Sequence, residues 1–357
     1  MSMPVTPAAA DAIDTFLTAA GVTKHRALVR RILEAGVGLS TDDTSRLNLK
    51  ITSAAIEEMR AAFKLFAPYT NTPKVTVFGS ARTQSHDPLW ANTEKVAQQL
   101  SARHWMVVTG AGPGIMEAAA DGAGAEKSLG VSIRLPFEEA LDAEGNTVDA
   151  NNVVMKYFFT RKLMLVKESS GFVCLPGGFG TMDETFELLT LQQTGKMDPV
   201  PIVLLDRPGG TYWSHFAAFI TQELAGGGYI SAGDLDRVVI TDSAETATAE
   251  VLGFWRNYDS LRWVGDELVM RLKATPTAGE IAQLNARFSG LLDSGEIRVT
   301  SPLAPEVKDN DRLELPRIVF TPRRRAVGDL DRVIRALNAF ASAPPITDAR
   351  TTPGADR

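Results

Sequence analysis

From residue 74 onward, short, near-continuous apolar runs alternate with longer stretches in which apolar residues recur every third or fourth position. The runs lie at 74–78, 105–109, 130–134, 171–174 and 200–205, with 238–240 as a shorter sixth. A near-continuous apolar run predicts a strand covered on both faces, as a parallel sheet requires. The stretches 88–103, 115–126, 152–168, 185–192, 213–224 and 244–258 have helical spacing. Strand–helix alternation with right-handed crossovers predicts an α/β fold, a doubly wound, Rossmann-like parallel sheet.

The pattern differs at both ends. Residues 11–20 read as a helix closed by Gly21, followed by amphipathic pieces at 25–33 and 51–66, the last stopping before Pro68. Residues 1–70 are therefore expected to be a helical extension packed on the main domain, 71–258. Beyond 258, residues 268–273, 279–292 and 327–340 look helical, while 296–300 and 317–320 look like strands. This predicts a small α+β region over 259–340. The polar, proline-containing tail, 341–357, reads as disordered. Arg323, Arg324 and Arg325 form a basic cluster that reads first as a solvated turn or a salt-bridged edge, and otherwise as a site for nucleic acid or an acidic effector.

The candidate chemistry sits where predicted strands end. Gly79, Ser80 and Arg82 follow the first strand, and Gly-Ala-Gly-Pro-Gly at 110–114 follows the second. Pro176, Gly177, Gly178, Gly180 and Thr181 follow the 171–174 strand and lead into a helix. In an open α/β sheet these turns share the carboxyl end, where ligands bind. Glycines let backbone N–H groups approach a ligand, and a helix N-terminus favours an anion. Thr181 can cap that helix or donate to a phosphate oxygen, and Glu184 is placed in the helix's first turn beside the same crevice. The 110–114 turn is GxGxG rather than the dinucleotide GxGxxG, and it lacks the Gly-Lys-Ser/Thr ending of a nucleoside triphosphatase. It fits a second phosphate or ribose loop. Arg161 and Lys162 interrupt an apolar helix, reading either as ligand-binding cations or as snorkelling side chains.

Composition narrows the class. A net charge of −6 argues against a nucleic-acid or anionic-membrane coat. The single cysteine, Cys174, excludes an internal disulfide and reads as a core residue. Four scattered histidines offer no zinc spacing, and no metal or cofactor is expected. With neither an apolar leader nor a run of membrane length, the expected compartment is the cytoplasm.

Gly79-Ser-Ala-Arg82, the 110–114 turn with Met116, Leu135-Pro-Phe-Glu138, Phe158-Phe-Thr-Arg-Lys162 and Pro176-Gly-Gly-Phe-Gly-Thr-Met-Asp-Glu184 occur in this order. Together they resemble the LOG ("Lonely guy") family, cytokinin riboside 5′-monophosphate phosphoribohydrolases long mislabelled lysine decarboxylases. The resemblance covers about 70–255, and Phe-Phe-Thr-Arg-Lys resembles the long-form bacterial branch. It implies hydrolysis of the N-glycosidic bond of AMP or an N6-modified AMP, with Arg161 and Glu184 as catalytic pair. It also implies substrate contacts from Gly79, Ser80, Arg82, Gly110, Gly112, Gly114, Met116, Glu138, Lys162, Pro176, Gly177, Gly178, Gly180 and Thr181. It implies at least a homodimer, while the acidic net charge and the lack of a membrane-length run predict no nucleic-acid or membrane partner. Arg161 is expected to keep Glu184 ionised. Asp183, Tyr157 and water are candidate proton donors to the leaving base. The alternative is a nucleotide-sensing module that binds without turnover; the retained arginine and acid argue for an enzyme.

Overall fold

A computed structural model describes residues 6–134, 150–323 and 329–346. The chain divides into two compact units, Met1–Arg60 and Ala61–Arg357. In the first, α1 (Pro7–Ala19) and α2 (Arg26–Thr41) are followed by α3 (Arg46–Phe66). Gly21, at φ +68°, closes α1. Its N–H donates to the Thr18 carbonyl, and that of Val22 to Leu17, so the last carbonyls of the helix are satisfied. Arg26 and Arg30 of α2 pair with Asp14 of α1. His25 is exposed and sits in the left-handed region at the start of α2.

The second unit contains a seven-stranded parallel sheet in the order β4-β3-β2-β1-β5-β6-β7. Its strands are β1 (Lys74–Phe78), β2 (Met106–Thr109), β3 (Ser128–Ile133), β4 (Asn152–Met155), β5 (Gly171–Cys174), β6 (Ile202–Leu205) and β7 (Val238–Thr241). The connecting helices are α4 (Pro88–Ala102), α5 (Ile115–Ala123), α6 (Phe158–Lys167), α7 (Phe179–Gln193), α8 (Tyr212–Phe219) and α9 (Ala244–Phe254). Val75, Val77, Val107, Val173 and Val203 point to one face, where they pack with Val96 and Leu100 of α4, Ile115 of α5 and Val251 of α9. The opposite face meets α6 and α7. There the Thr76 hydroxyl donates to the Leu165 carbonyl at 3.0 Å, and Phe78 stacks on Phe172. Strand order reverses between β1 and β5, so the loops after these two strands flank the topological switch point.

One sheet element departs from the sequence expectation. Residues 152–168 read as one helix, but 152–155 form the edge strand β4, paired parallel with β3. The Val153–Val154 pair is β-branched, and Val153 and Met155 are buried while Val154 is exposed. This two-residue alternation suits a sheet edge.

A second, antiparallel sheet runs in the order β10-β11-β9-β8. Its strands are β8 (Tyr258–Val264), β9 (Glu267–Leu272), β10 (Leu292–Thr300) and β11 (Arg317–Pro322), with α10 (Ala278–Phe288), α11 (Ala304–Asp309) and α12 (Leu330–Ala339). Residues 268–273 read as helical but belong to β9. Leu268, Met270 and Leu272 face the core shared with Leu284, Phe288, Ile334 and Leu337, while Arg271 points to the other face. With both faces covered, the strand lost the polar alternation that would identify it. Arg323 caps the end of this sheet, donating to the Leu292 carbonyl rather than lying free in a turn; Arg324 and Arg325 lie outside the described residues. So do Leu135–Glu138 as a motif and the tail from 347 onward; Ala343, within the expected tail, is buried.

On the far face of this sheet Glu306 of α11 is fully buried and receives two arginines, Arg271 at 2.7 Å and Arg317 at 2.8 Å. Asp311 takes Arg271 and Arg262, each at 2.7 Å. A buried charge that loses its partner is costly, whereas a well-packed apolar replacement of the whole group can be neutral. Glu306→Ala should lower stability by about 3–5 kcal/mol, read from the denaturant midpoint, while combined apolar replacement of Glu306, Arg271 and Arg317 should cost far less.

Candidate active site

Three loops and one helix converge at the carboxyl end of the parallel sheet. The Ser80 N–H donates to the Pro176 carbonyl at 3.3 Å, joining the β1 and β5 loops across the switch point. The Ile115 N–H donates to the Ser80 carbonyl at 3.1 Å, bringing in the β2 loop. Glycine is required where these backbones touch. A Cβ on Gly114, at φ +71°, would lie 2.4 Å from the Ser80 carbonyl oxygen, and one on Gly79 would strike the Ile115 side chain. A Cβ on Gly110 would overlap the Arg161 guanidinium and lie 2.9 Å from Met116 Sδ. Met116 also covers Gly112.

Arg161 turns inward from α6. Its Nε donates to the Val131 carbonyl at 2.9 Å and its terminal nitrogen to the Gly110 carbonyl at 3.2 Å. Burial pulls its pKa down, and the charge of Glu184 acts in the opposite sense. The snorkelling alternative therefore fails for Arg161. Lys162, one position on, points the other way and pairs with Asp183 at 2.6 Å and Glu187 at 3.1 Å, tying α6 to α7. Burial lowers the Lys162 pKa, but these bonds and charges outweigh it and hold the pKa above the usual value.

α7 begins at Phe179, with Gly178 as N-cap and no capping side chain. Thr181 is therefore not the cap: it is buried inside the first turn, its hydroxyl against Gly177, and its carbonyl accepts from the Thr185 hydroxyl at 2.7 Å. The helix starts earlier than a threonine cap would require because glycines supply the entry turn. Glu184 accordingly falls in the second turn, not the first. Burial raises its pKa to about 7, against the lowering effect of Arg161 and Lys162. Arg161 thus does not keep it fully ionised at neutral pH, since desolvation outweighs the pairing. Below it Cys174 is buried and its thiol pushed up to about 12 by burial, an unreactive core group as expected.

Gly178 and Gly180 have open space at the Cβ position. The Arg82 side chain is exposed, and its backbone N–H donates to the Ser80 hydroxyl at 3.1 Å. Glu138 lies outside the described residues. Of the candidate proton donors, Asp183 is turned toward Lys162, and Tyr157 stacks on Phe159. Sequence reasoning missed Tyr212, whose hydroxyl donates to the Gly177 carbonyl at 2.7 Å. Nothing in its local sequence signals that contact, which spans 35 residues.

A cavity of about 700 Å³ adjoins the β2 loop, lined by Thr109, Gly112, Met116, Glu117, Gly130 and Asn152. A second, of about 780 Å³, opens at the amino ends of β1, β5 and β6, beside Lys74, Ser170 and Trp255. It contains none of the glycine loops, and ligands of such sheets bind at the opposite end. Among the described residues no three His, Cys, Asp or Glu side chains gather as a metal site, and no helix is long and apolar enough to cross a membrane.

Residues 116–251 match a family model described as possible lysine decarboxylase. The cytokinin riboside 5′-monophosphate phosphoribohydrolase of Mycobacterium tuberculosis is 28% identical over 173 residues, 47% of this chain and 87% of that protein. Cytokinin riboside 5′-monophosphate phosphoribohydrolase LOG1 of Arabidopsis thaliana is 35% identical over 85 residues, 24% of this chain and 38% of that protein. Among solved structures, the molybdenum cofactor binding protein of Rippkaea orientalis is 23% identical, with a TM-score of 0.34 over 49% of this chain and 93% of that one. Over the matched residues 116–251, which carry Arg161, the 176–180 glycine turn and Glu184, the chain is similar to the LOG family.

Proposed function

We propose that the chain hydrolyses the N-glycosidic bond of a nucleoside 5′-monophosphate, AMP or an N6-modified AMP, releasing free base and ribose 5-phosphate. The observation that carries this reading is the half-buried Glu184 carboxyl lying within the electrostatic reach of the half-buried Arg161 guanidinium, itself held by the Val131 and Gly110 carbonyls, on a helix whose N-terminus no side chain caps. The 5′-phosphate sits on the N–H groups opening α7, with Gly177, Gly178, Gly180 and Thr181 around it. Gly79, Ser80, Gly110, Gly112 and Gly114 form the wall that the ribose approaches. The cavity beside Met116 receives the base, its volume being in the range of small-molecule sites.

Cleavage of C1′–N9 develops positive charge on the ribose. A fixed carboxylate at Glu184 stabilises that charge more than it stabilises neutral sugar, and it orients the attacking water. Arg161 bonds to two carbonyls and so stays in place as substrate enters. Anchoring the remote phosphate spends binding energy on the reacting bond, so adenosine is a poorer substrate than AMP. Lys162 is held by two carboxylates and kept protonated, which is the wrong state for a Schiff-base lysine and supports hydrolysis over decarboxylation.

We further propose a homodimer. Helices α6 and α7 expose Phe158, Phe159, Leu163 and Phe179, large apolar side chains that flank the crevice.

The test of function is base release from AMP and isopentenyl-AMP by purified protein. Glu184→Gln should cut turnover about a hundredfold or more, on the order of 3–4 kcal/mol, while nucleotide binding persists. Tight binding without hydrolysis in the wild type would instead identify a sensing module. Because only the carboxylate form stabilises the cation, kcat/KM should fall as pH drops below about 7. Arg161 lowers the proton affinity of Glu184, so in Arg161→Gln that acidic limb should move to higher pH in a pH–rate profile. Light scattering should give at least twice the monomer mass; a monomer at working concentration would remove the dimer.

A further inference from the structure

We propose that Tyr212 is a positioning residue for the anion-binding turn and acts through the Gly177 carbonyl. The inference rests on reading residues 176–181 as the seat of the phosphate. The Tyr212 hydroxyl donates to the Gly177 oxygen at 2.7 Å. In a trans peptide the carbonyl and the following N–H point in opposite directions in one plane. Holding the oxygen of Gly177 therefore also sets the N–H of Gly178 on the opposite side. That N–H has no acceptor among the described residues, and Gly178 is the N-cap of α7, which no side chain caps. It is the first of the donors an anion would meet.

The turn needs an external anchor. Gly177, Gly178 and Gly180 restrict the backbone little, so the plane between Gly177 and Gly178 is free to rotate unless something outside the loop holds it. Thr181 packs against Gly177 on one side, but the space beside Gly178 and Gly180 is open, and the hydrogen bond to the Gly177 carbonyl comes from outside the loop, from Tyr212. Tyr212 is itself well fixed. Its ring meets Trp213 edge-on at 4.9 Å between centroids. Trp213 is fully buried, and its indole N–H donates to the Leu205 carbonyl at 3.2 Å. Its backbone N–H donates to buried Asp206 at 3.3 Å, and Asn92 of α4 donates to the Asp206 carbonyl at 2.8 Å. Rigid contacts thus run from β6 to the glycine turn, and the hydroxyl of Tyr212 is the last link. Its effect is selective, because its hydroxyl acts on the turn read as the phosphate seat.

Tyr212→Phe removes the hydroxyl and keeps the ring; Tyr212→Leu removes both. Kd for AMP and for adenosine, measured by calorimetry on the full chain, should separate the role from general packing. Both variants should lose about tenfold in AMP affinity with adenosine unchanged, and only Tyr212→Leu should show a lowered Tm. In turnover the loss should appear in KM for AMP with kcat nearly kept. AMP affinity in Tyr212→Phe equal to wild type, or equal losses for AMP and adenosine, would overturn the proposal. A ligand-free reading separates this outcome from failure of the proposed function. The amides of Ser80 and Met182 donate to the Pro176 and Gly178 carbonyls and report directly on the turn. Their hydrogen exchange should accelerate in Tyr212→Phe while β6 amides stay protected. Unchanged exchange would overturn the positioning role whether or not any nucleotide is hydrolysed.

Discussion

A guanidinium withdrawn from water must find acceptors, and Arg161 finds them in the backbone of two neighbouring strands' ends, at Val131 and Gly110. This single requirement organises the crevice. It fixes the β2 loop against α6 and demands that position 110 carry no side chain. It also sets a permanent positive charge beside Glu184 in surroundings poor in water. The acid responds to two opposed effects. Burial favours its neutral form and the arginine favours its ionised form, and burial prevails by enough to bring its pKa to about 7. A carboxyl with a pKa near neutrality is populated in both protonation states at physiological pH.

The scaffold explains why the site can be this exact. The crevice sits at the switch point between β1 and β5, where loops diverge to opposite faces and leave room between them. Close backbone contacts replace side-chain contacts there, through Ser80, Pro176 and Gly114. Such contacts move little, because every atom in them belongs to a chain anchored in a buried strand. The antiparallel sheet is built on a different principle. One face packs apolar residues against α10 and α12, and the other holds Glu306 between two arginines. A buried ionic cluster of this kind favours one register of α11 on the sheet over others, since a slipped register would leave charges unpaired.

Much of this was legible along the chain. Short, largely apolar runs at 74–78 and 171–174, each followed by glycines and then a helical stretch, predict strands of a parallel sheet with the site at its carboxyl end. Misreadings came where period is ambiguous. β4 is an edge strand of four residues, too short to separate its alternation from a helical stretch that begins three residues later. β9 carries Arg271 inside an apolar run, and a buried arginine looks the same in sequence as an exposed one.

Arg161 and Lys162 put the division most sharply. Adjacent in sequence and both cationic, they differ completely in role, one turned into the crevice and the other clamped between Asp183 and Glu187. Their identity and the strand–turn–helix order around Glu184 were fixed by local sequence, because propensity, period and glycine freedom act over a few residues. Which cation turns toward the crevice, how far Glu184 is pushed from its ordinary pKa and which side chain braces Gly177 were decided only by tertiary structure. Those properties depend on solvent exclusion and on partners brought together from distant positions, and neither is encoded in any one stretch of the chain.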